Sequence, residues 1–425
     1  MIVFCLYGEE LATFASSTAD CTGVGYEWEG ESVIHLRLVP QPHSFGIKRS
    51  VRFVHGEQPE SEPQDNDIIV CVDKNGKALV WSKETDTPIE PIIIPARENL
   101  YSRSKGLIEV GILEQKRVLI IGLGSFGSQI AIELAKAGVG HFALMDFDRV
   151  ELHNLVRHTA FLNDLGRLKT DYVKDCLLGK NPYAEVDLFP ININEHLELL
   201  DEEVRKADLV ICATDNNQSR FNISEALVRN KTIGIFGRAI TRAEGGDVFR
   251  YRPGGPCYVC MIGSDWYNSV AEEITNEASA RANGQIAAYT SPEEADAMVQ
   301  VGLSSDIEPM CNMMVKLSLL ELSRGADSGI SSLDDELTFP AYLWVNRRER
   351  HYGSFAPFNK CGNRPTIMRW YGIAFDRNEH CALCGDSPKL NLGEDFMSDY
   401  SAELTETQEM IDLDSAEEQI KQNKD

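Results

Sequence analysis

The sequence is short of positive charge. Its 425 residues include 41 Lys and Arg against 66 Asp and Glu, a formal net charge of -25 at pH 7. Because affinity for nucleic acid depends on cationic side chains that displace counterions from phosphates, this balance argues against nucleic acid as a partner. The sequence also lacks an apolar run of the roughly 18 residues that a membrane span requires, and it opens without the cationic segment of a secretory signal. We therefore expect a cytoplasmic protein that does not contact a membrane.

The cysteines do not suggest a disulfide framework. There are eleven, an odd number, in a chain long enough to fold around an apolar core. Four of them form two Cys-x-x-Cys pairs, Cys257 with Cys260 and Cys381 with Cys384. Four thiolates complete a tetrahedral zinc site and leave no position for a reactive water. The sequence therefore predicts a structural zinc site in a reducing compartment.

The first part of the chain, residues 1–95, has the pattern of a small β-rich domain. Short alternating or β-branched runs, such as residues 33–39 and 67–73, are separated by polar turns. The segment has no His-x-His with a downstream Asp, which a zinc isopeptidase needs, and no His-Pro-Asn ahead of a cysteine, as in ubiquitin-conjugating enzymes. We interpret it as an accessory or docking domain.

Residues 96–385 predict an α/β fold. Apolar strand patterns at residues 117–121, 142–145 and 208–213 alternate with helical patterns, which indicates a Rossmann-like, doubly wound and mostly parallel sheet. After residue 385 the chain holds twelve acidic side chains against three basic ones. Such a composition predicts an acidic, disordered tail over residues 386–425.

A glycine turn follows the first of these strands. Gly122, Gly124 and Gly127 lie between the strand and a predicted helix, where glycines let backbone amides approach a phosphate. Asp146 ends the next strand and is placed to bind ribose hydroxyls. Up to this point NAD and ATP fit equally well.

The residues after Asp146 favour ATP. Asp148, Asn154 and Arg157 follow within one short segment, and Lys169 and Asp215 come later in the chain. A hydride-transfer site does not need this concentration of polar and cationic groups, whereas a triphosphate must have its charge neutralised and its α-phosphate held for attack. We therefore assign the glycine turn and this segment, including Asp148, to an ATP site.

In this order the motifs resemble the ThiF/MoeB superfamily, adenylyltransferases related to ubiquitin-activating enzymes. Three further features fall in family order: Arg103 ahead of the first strand, Asn181–Pro182, and residues 243–246 followed by the first cysteine pair. The resemblance covers about residues 95–385. It implies ATP-dependent adenylation of the C-terminal glycine carboxylate of a ubiquitin-like or sulfur-carrier protein, with release of pyrophosphate. Further partners would be a conjugating enzyme or a sulfur donor.

The resemblance also implies roles for individual residues. Asp146 would hold the ribose, and the phosphates would be bound by Asn154, Arg157 and Lys169. Asp215 would bind Mg²⁺. Arg103 would reach the triphosphate bound by the other subunit of a homodimer, and the four paired cysteines would hold zinc.

A thioester step has no obvious nucleophile. Some superfamily members transfer the carrier to a cysteine in the crossover segment, but here that segment, about residues 263–308, contains none. Cys311 follows it, on a predicted helix with Pro309 in the first turn, where a helix N-terminus would lower the thiol pKa. Its apolar neighbours favour a buried core cysteine instead. Cys361, a predicted loop thiol beside Lys360, is the second candidate.

Two other functions remain open on the sequence alone. One is an NAD(P)-dependent oxidoreductase, which the glycine turn and Asp146 permit. The other is a non-catalytic scaffold that keeps the adenylation fold for dimerisation. Against the scaffold, every charged position of the ATP set is filled in this chain.

Overall fold

The computed structural model describes residues 2–28, 30–40, 47–65, 67–85, 87–94, 100–240, 243–262, 302–347 and 366–386. They form two compact units, Met1–Val110 with Lys136–Gly138, and Gly111–Ala135 with Val139–Asp425. Within the described ranges, no helix combines the length and the apolar character that crossing a bilayer requires. Most of the crossover segment, Cys361 and nearly all of the acidic tail lie outside these ranges, so what we expect of them stays a prediction.

The first unit is built on one mixed sheet of seven strands. In chain order the strands are β1 (Val3–Tyr7), β2 (Cys21–Glu27), β3 (Val33–Arg37), β4 (Ile47–His55), β5 (Asp67–Val72), β6 (Ala78–Ser82) and β7 (Ile92–Ile94). Their order across the sheet is β6-β5-β4-β2-β3-β1-β7. Alternate residues of β1 and β3 are buried, and they pack with Leu11 and Phe14 of helix α1 (Gly8–Ala15). The period-two pattern thus buries one face of these strands under the helix.

The second unit contains an eight-stranded sheet. Its strands are β8 (Arg117–Ile121), β9 (His141–Met145), β10 (Glu185–Phe189), β11 (Leu209–Cys212), β12 (Ile233–Ile240), β13 (Gly245–Tyr251), β14 (Ala341–Val345) and β15 (Arg369–Ile373). The order is β10-β9-β8-β11-β12-β13-β14-β15. The first five pair in parallel and the last three are added antiparallel. This confirms the predicted α/β fold with a mostly parallel sheet.

The described helices after α1 are α2 (Val110–Leu113), α3 (Gly127–Ala137), α4 (Lys169–Leu178), α5 (Leu197–Lys206), α6 (Asn217–Asn230), α7 (Tyr258–Ile262), α8 (Ser304–Leu322) and α9 (Leu333–Glu336). β11 is buried along its whole length, as expected where layers cover both faces of a parallel sheet. One boundary differs from the prediction. α8 begins at Ser304, so Pro309 lies inside the helix and not in its first turn.

The strand order creates a crevice in the second unit. From β8 the chain first builds outward through β9 and β10, then returns to add β11 and β12 on the other side. In open parallel sheets, the carboxyl ends of the strands at such a reversal flank a ligand-binding crevice. The glycine turn follows β8, Asp146 follows β9, and Asp215 lies just beyond β11. Topology therefore gathers these three features, which are far apart in the sequence.

Candidate active site at the carboxyl edge of the second sheet

A cavity of about 520 Å³ lies at this edge. Almost every residue that we assigned to the ATP site lines it: Gly122, Gly124, Asp146, Asp148, Asn154, Arg157, Lys169 and Asp215. Gly127 supports the wall without lining it. The structure therefore brings the predicted set together around one volume.

Two of the three glycines are required by close packing. Gly122 has φ +86°, and a Cβ there would lie 2.7 Å from the carbonyl oxygen of Ala213. A Cβ on Gly127 would lie 1.8 Å from the carbonyl oxygen of Gly122, a contact that only a shift of the backbone can relieve. At Gly124 the nearest atom would be Nε2 of His158, 3.7 Å away, which is ordinary contact distance. The first and third glycines shape the turn, and the middle one keeps the space in front of it open.

Asp146 links the glycine turn to the next strand. Its Oδ2 accepts the backbone N–H of Leu123 at 2.7 Å, and its Oδ1 accepts that of Asp148 at 2.8 Å. The side chain is buried, and burial raises its pKa against the opposing effect of Lys169. Each carboxylate oxygen has a second lone pair, so these bonds leave acceptors for ribose hydroxyls. In the structure Asp146 holds the turn in place, and its contact with a ribose stays a prediction.

Lys169 supplies a buried cation. It is the first residue of α4, it is 8% exposed, and its Nζ lies 2.8 Å from Oδ2 of Asp148. Burial disfavours its charged form, but Asp146, Asp148 and Asp215 together raise the pKa of Lys169. The ammonium group therefore stays charged inside the cavity wall. Asp148 is the direct partner of this lysine.

Asn154 is a capping residue as well as a cavity residue. Its Oδ1 accepts the backbone N–H of Glu151 at 3.0 Å, at the end of the short 3-10 helix Leu152–Asn154. That bond holds the backbone conformation of the turn that precedes Arg157. The structure therefore shows Asn154 as a cap at the edge of the cavity.

The side chains of Arg157 and Asp215 have charges that can interact with a ligand. Across the parts of the chain that the structure describes, neither side chain forms a hydrogen bond or an ion pair. Arg157 is half-buried and Asp215 is exposed, and both line the cavity. A half-buried charge such as that of Arg157 is normally paired, because desolvation of an unpaired charge is costly. Asp215 acts on Lys169 without a direct bond, so the two charges of opposite sign suit a ligand with an anion and a bound cation.

Several charged or titratable residues of the wall were not predicted from the sequence, among them His158, Arg220 and Arg238. Arg220 donates to the carbonyl oxygen of Thr214 at 2.8 Å and so holds the loop that carries Asp215. Arg238 is paired with Asp247 at 2.6 Å. Arg238 could have been predicted from its position, because it lies toward the carboxyl end of a parallel strand, where the crevice is. His158 directly follows Arg157, but nothing in the sequence marks it.

The four paired cysteines meet in one cluster. The Sγ atoms of Cys257, Cys260, Cys381 and Cys384 all lie within 4.8 Å of one another. Three of the separations are 3.8, 3.6 and 3.4 Å. A tetrahedron with zinc–sulfur bonds of about 2.3 Å has sulfurs about 3.8 Å apart, so these thiols fit the ion. Four thiolates would fill the coordination sphere of a zinc ion and leave no position for a reactive water.

Of the two candidate thiols, the structure describes Cys311 but not Cys361. Cys311 is 3% exposed, and its Sγ lies 3.9 Å from the carbonyl oxygen of Ser125 beneath the glycine turn. It lies in the second turn of α8 and not at the helix N-terminus, and burial raises its pKa far above the usual range. A buried core cysteine fits these observations and a nucleophile does not. Cys361 lies outside the described residues.

Arg103 lies in the first unit, on a turn that follows Tyr101, and its side chain is exposed. We predicted that Arg103 contacts the nucleotide of a second subunit. This contact stays a prediction.

Comparisons with known proteins agree with the motifs. The model of the ThiF family matches residues 106–327. Among curated proteins, the chain is 27% identical over 332 residues to an adenylyltransferase and sulfurtransferase MOCS3 from Culex quinquefasciatus, covering 75% of this chain and 63% of that protein. It is 37% identical over 156 residues to the molybdopterin-synthase adenylyltransferase of Escherichia coli K12, covering 35% of this chain and 59% of that protein. The chain thus spans less than two thirds of the length of either relative.

Among solved structures, the chain is similar to the crystal structure of E. coli MccB. The sequence identity is 19% and the TM-score is 0.49. The match covers 68% of this chain and 73% of that one.

Proposed function

Since the chain belongs to the ThiF family, we propose that it binds ATP in the cavity and adenylates the C-terminal glycine carboxylate of a small ubiquitin-like or sulfur-carrier protein. One observation carries the proposal. The same cavity presents a glycine turn at a helix N-terminus, a buried charged lysine and two unpaired charges, Arg157 and Asp215. The relatives named as adenylyltransferases support the same chemistry.

The side chains of the wall match the charge changes of this reaction. A carboxylate oxygen of the carrier attacks the α-phosphorus of ATP, a new P–O bond forms, and the bond to the bridging oxygen breaks. Pyrophosphate leaves with the electron pair. Negative charge grows on the phosphoryl oxygens and on pyrophosphate, where Arg157 and Lys169 stabilise it. Asp146 holds the ribose and so fixes the α-phosphate for in-line attack.

Two metals belong to the proposal. Asp215 would hold Mg²⁺, which would supply positive charge to the phosphates of the nucleotide. The cluster of Cys257, Cys260, Cys381 and Cys384 would hold a structural zinc ion and tie α7 to the segment after β15.

We propose further that the enzyme works as a homodimer in which Arg103 of one subunit reaches the nucleotide of the other. An apolar surface on the second unit supports this. Six large apolar side chains of residues 147–165 are 40% or more exposed: Phe147, Leu152, Val156, Phe161, Leu162 and Leu165. Exposed large apolar side chains concentrated in one segment next to the cavity suit a protein partner.

Complementation tests the dimer sharply. Arg103→Ala and Arg157→Ala should each be inactive alone. In an equal mixture, half the dimers are mixed, and each mixed dimer has one site with both arginines, so about a quarter of the wild-type activity should return. No recovery after subunit exchange, shown by a tagged mixed dimer, would contradict a shared site.

The activated carboxylate then passes to a thiol of a conjugating enzyme or to a sulfur donor, and AMP leaves. If a thioester forms on this chain, we assign it to Cys361, because Cys311 is buried. Gels with and without reductant decide this. A reductant-sensitive adduct with the carrier should survive Cys311→Ala and disappear in Cys361→Ala, and loss in Cys311→Ala alone would overturn the assignment.

ATP–pyrophosphate exchange in the presence of carriers encoded by neighbouring genes tests the central proposal. Arg157→Ala and Asp215→Ala should each lower exchange about 100-fold or more, as expected when a group that stabilises transition-state charge is lost. The matched controls are Arg205→Ala and Asp335→Ala, which remove exposed charges outside the cavity. Full exchange in Arg157→Ala, or binding of labelled NAD in preference to labelled ATP, would refute the proposal.

A further inference from the structure

His158 lines the cavity, but neither the motif order nor the charge pattern gives it a role. Its backbone N–H donates to the carbonyl oxygen of Asn154 at 2.8 Å, so it ends the turn that carries Arg157. Its ring faces the glycine turn. A Cβ built on Gly124 would lie 3.7 Å from Nε2 and 3.9 Å from Cε1 of His158. The ring edge with Nε2 therefore faces the space that the missing side chain of Gly124 leaves open.

The other ring nitrogen defines the tautomer. Nδ1 is enclosed and has no hydrogen-bond partner among the residues that the structure describes. A neutral imidazole carries its one proton on either nitrogen. A proton on Nδ1 would bury an N–H without an acceptor, and orphaned N–H groups are rarer than orphaned acceptors. The proton therefore belongs on Nε2, where it is a donor directed toward the glycine turn.

The charges around the ring keep it neutral. Lys169 faces it from α4, and Arg157 and His153 face it from its own segment. Burial, together with these three groups, lowers the pKa of His158 to about 3. A donor at this point therefore adds no third positive charge beside Arg157 and Lys169.

We propose that His158 is a nucleotide-binding residue that donates a hydrogen bond from Nε2 to the phosphate lying against the glycine turn, opposite Gly124. This inference rests on the proposed function, since it assumes a nucleotide in the cavity. The helix N-terminus after the turn supplies backbone N–H groups on one side of that phosphate. His158 supplies a neutral donor on the other side.

Binding of labelled ATP and of adenosine to the full-length chain, without a carrier, tests this directly. In His158→Ala, the affinity for ATP should fall about 10-fold, the usual effect of losing a hydrogen bond to a charged group. Adenosine has no phosphate, so its affinity should not change. His158→Gln keeps a neutral N–H donor of similar reach, and its ATP affinity should return to within about 3-fold of wild type. His196→Ala, which removes an exposed imidazole outside the cavity, is the matched control.

Each other outcome overturns a defined part of the argument. A wild-type chain that binds no ATP refutes the proposed function itself. If the wild type binds ATP and His158→Ala binds it equally well, only the role of His158 is refuted. An equal loss of ATP and adenosine affinity in His158→Ala, without rescue in His158→Gln, would show that the ring supports the fold and does not contact a phosphate.

Discussion

Acid should destabilise the second unit through His158. In an unfolded chain a histidine has a pKa of about 6.5. In the folded chain burial and the cations around it lower the pKa of His158 to about 3. Between these values the unfolded chain binds a proton that the folded chain does not, so the free energy of unfolding falls as pH falls. The contribution is close to zero at pH 8 and amounts to about 2 kcal/mol by pH 5.

Urea unfolding of wild type and His158→Gln across this range measures the effect. The variant lacks the group, so its stability relative to wild type should rise by about 2 kcal/mol between pH 8 and pH 5. The midpoints of the two proteins are compared under identical conditions, because two units need not unfold in one step. The difference in stability from wild type should change with pH for His158→Gln and stay constant for the exposed control His196→Gln. A difference that does not vary with pH, or an NMR titration of His158 near pH 6.5, would refute the assignment of a neutral buried ring.

Four other perturbations have definite expected outcomes. Gly127→Ala should abolish binding of labelled ATP, because the new Cβ would meet the carbonyl oxygen of the first glycine of the turn at 1.8 Å. Cys381→Ser should lower the zinc content, measured by atomic absorption, together with the thermal midpoint, and unchanged zinc would contradict the four-thiolate site. Glu321→Ala should cost about 3–5 kcal/mol in urea unfolding, because it removes the buried partner that Arg250 contacts at 3.1 Å, and a loss below about 1 kcal/mol would show that the pair is not structural. Cys311→Ala should keep pyrophosphate exchange and any reductant-sensitive adduct with the carrier, whereas loss of that adduct in a folded variant that still exchanges pyrophosphate would restore Cys311 as a nucleophile.

The parallel core was predictable because its signals are local. The strand patterns around residues 117–121 and 142–145 are short apolar runs bounded by turn residues, and the glycine turn marks where α3 begins. Two glycines of this turn are sterically required, and this is why the glycine motif can be recognised in the sequence. The side chains of the ATP set were found by their order along the chain, and topology then places them around one cavity.

The features that were missed depend on contacts distant in sequence. α8 begins ahead of Pro309 because tertiary packing against β12 and β13 extends it through a residue that usually ends a helix. The enclosure of His158 arises only when the chain folds over the glycine turn. The sequence shows a histidine after Arg157, but not which of its nitrogens is enclosed.

The separation of the two cysteine pairs has a consequence for the order in which the protein is made. Cys257 and Cys381 are 124 residues apart in the chain. The strands β8 to β13 end at Tyr251, ahead of all four cysteines of the cluster, so the sheet edge that carries the glycine turn is synthesised before any of them. A nascent chain that ends between Cys260 and Cys381 holds half of the cluster and no closed site. If the cluster binds zinc as proposed, the metal is captured only after synthesis has passed Cys384.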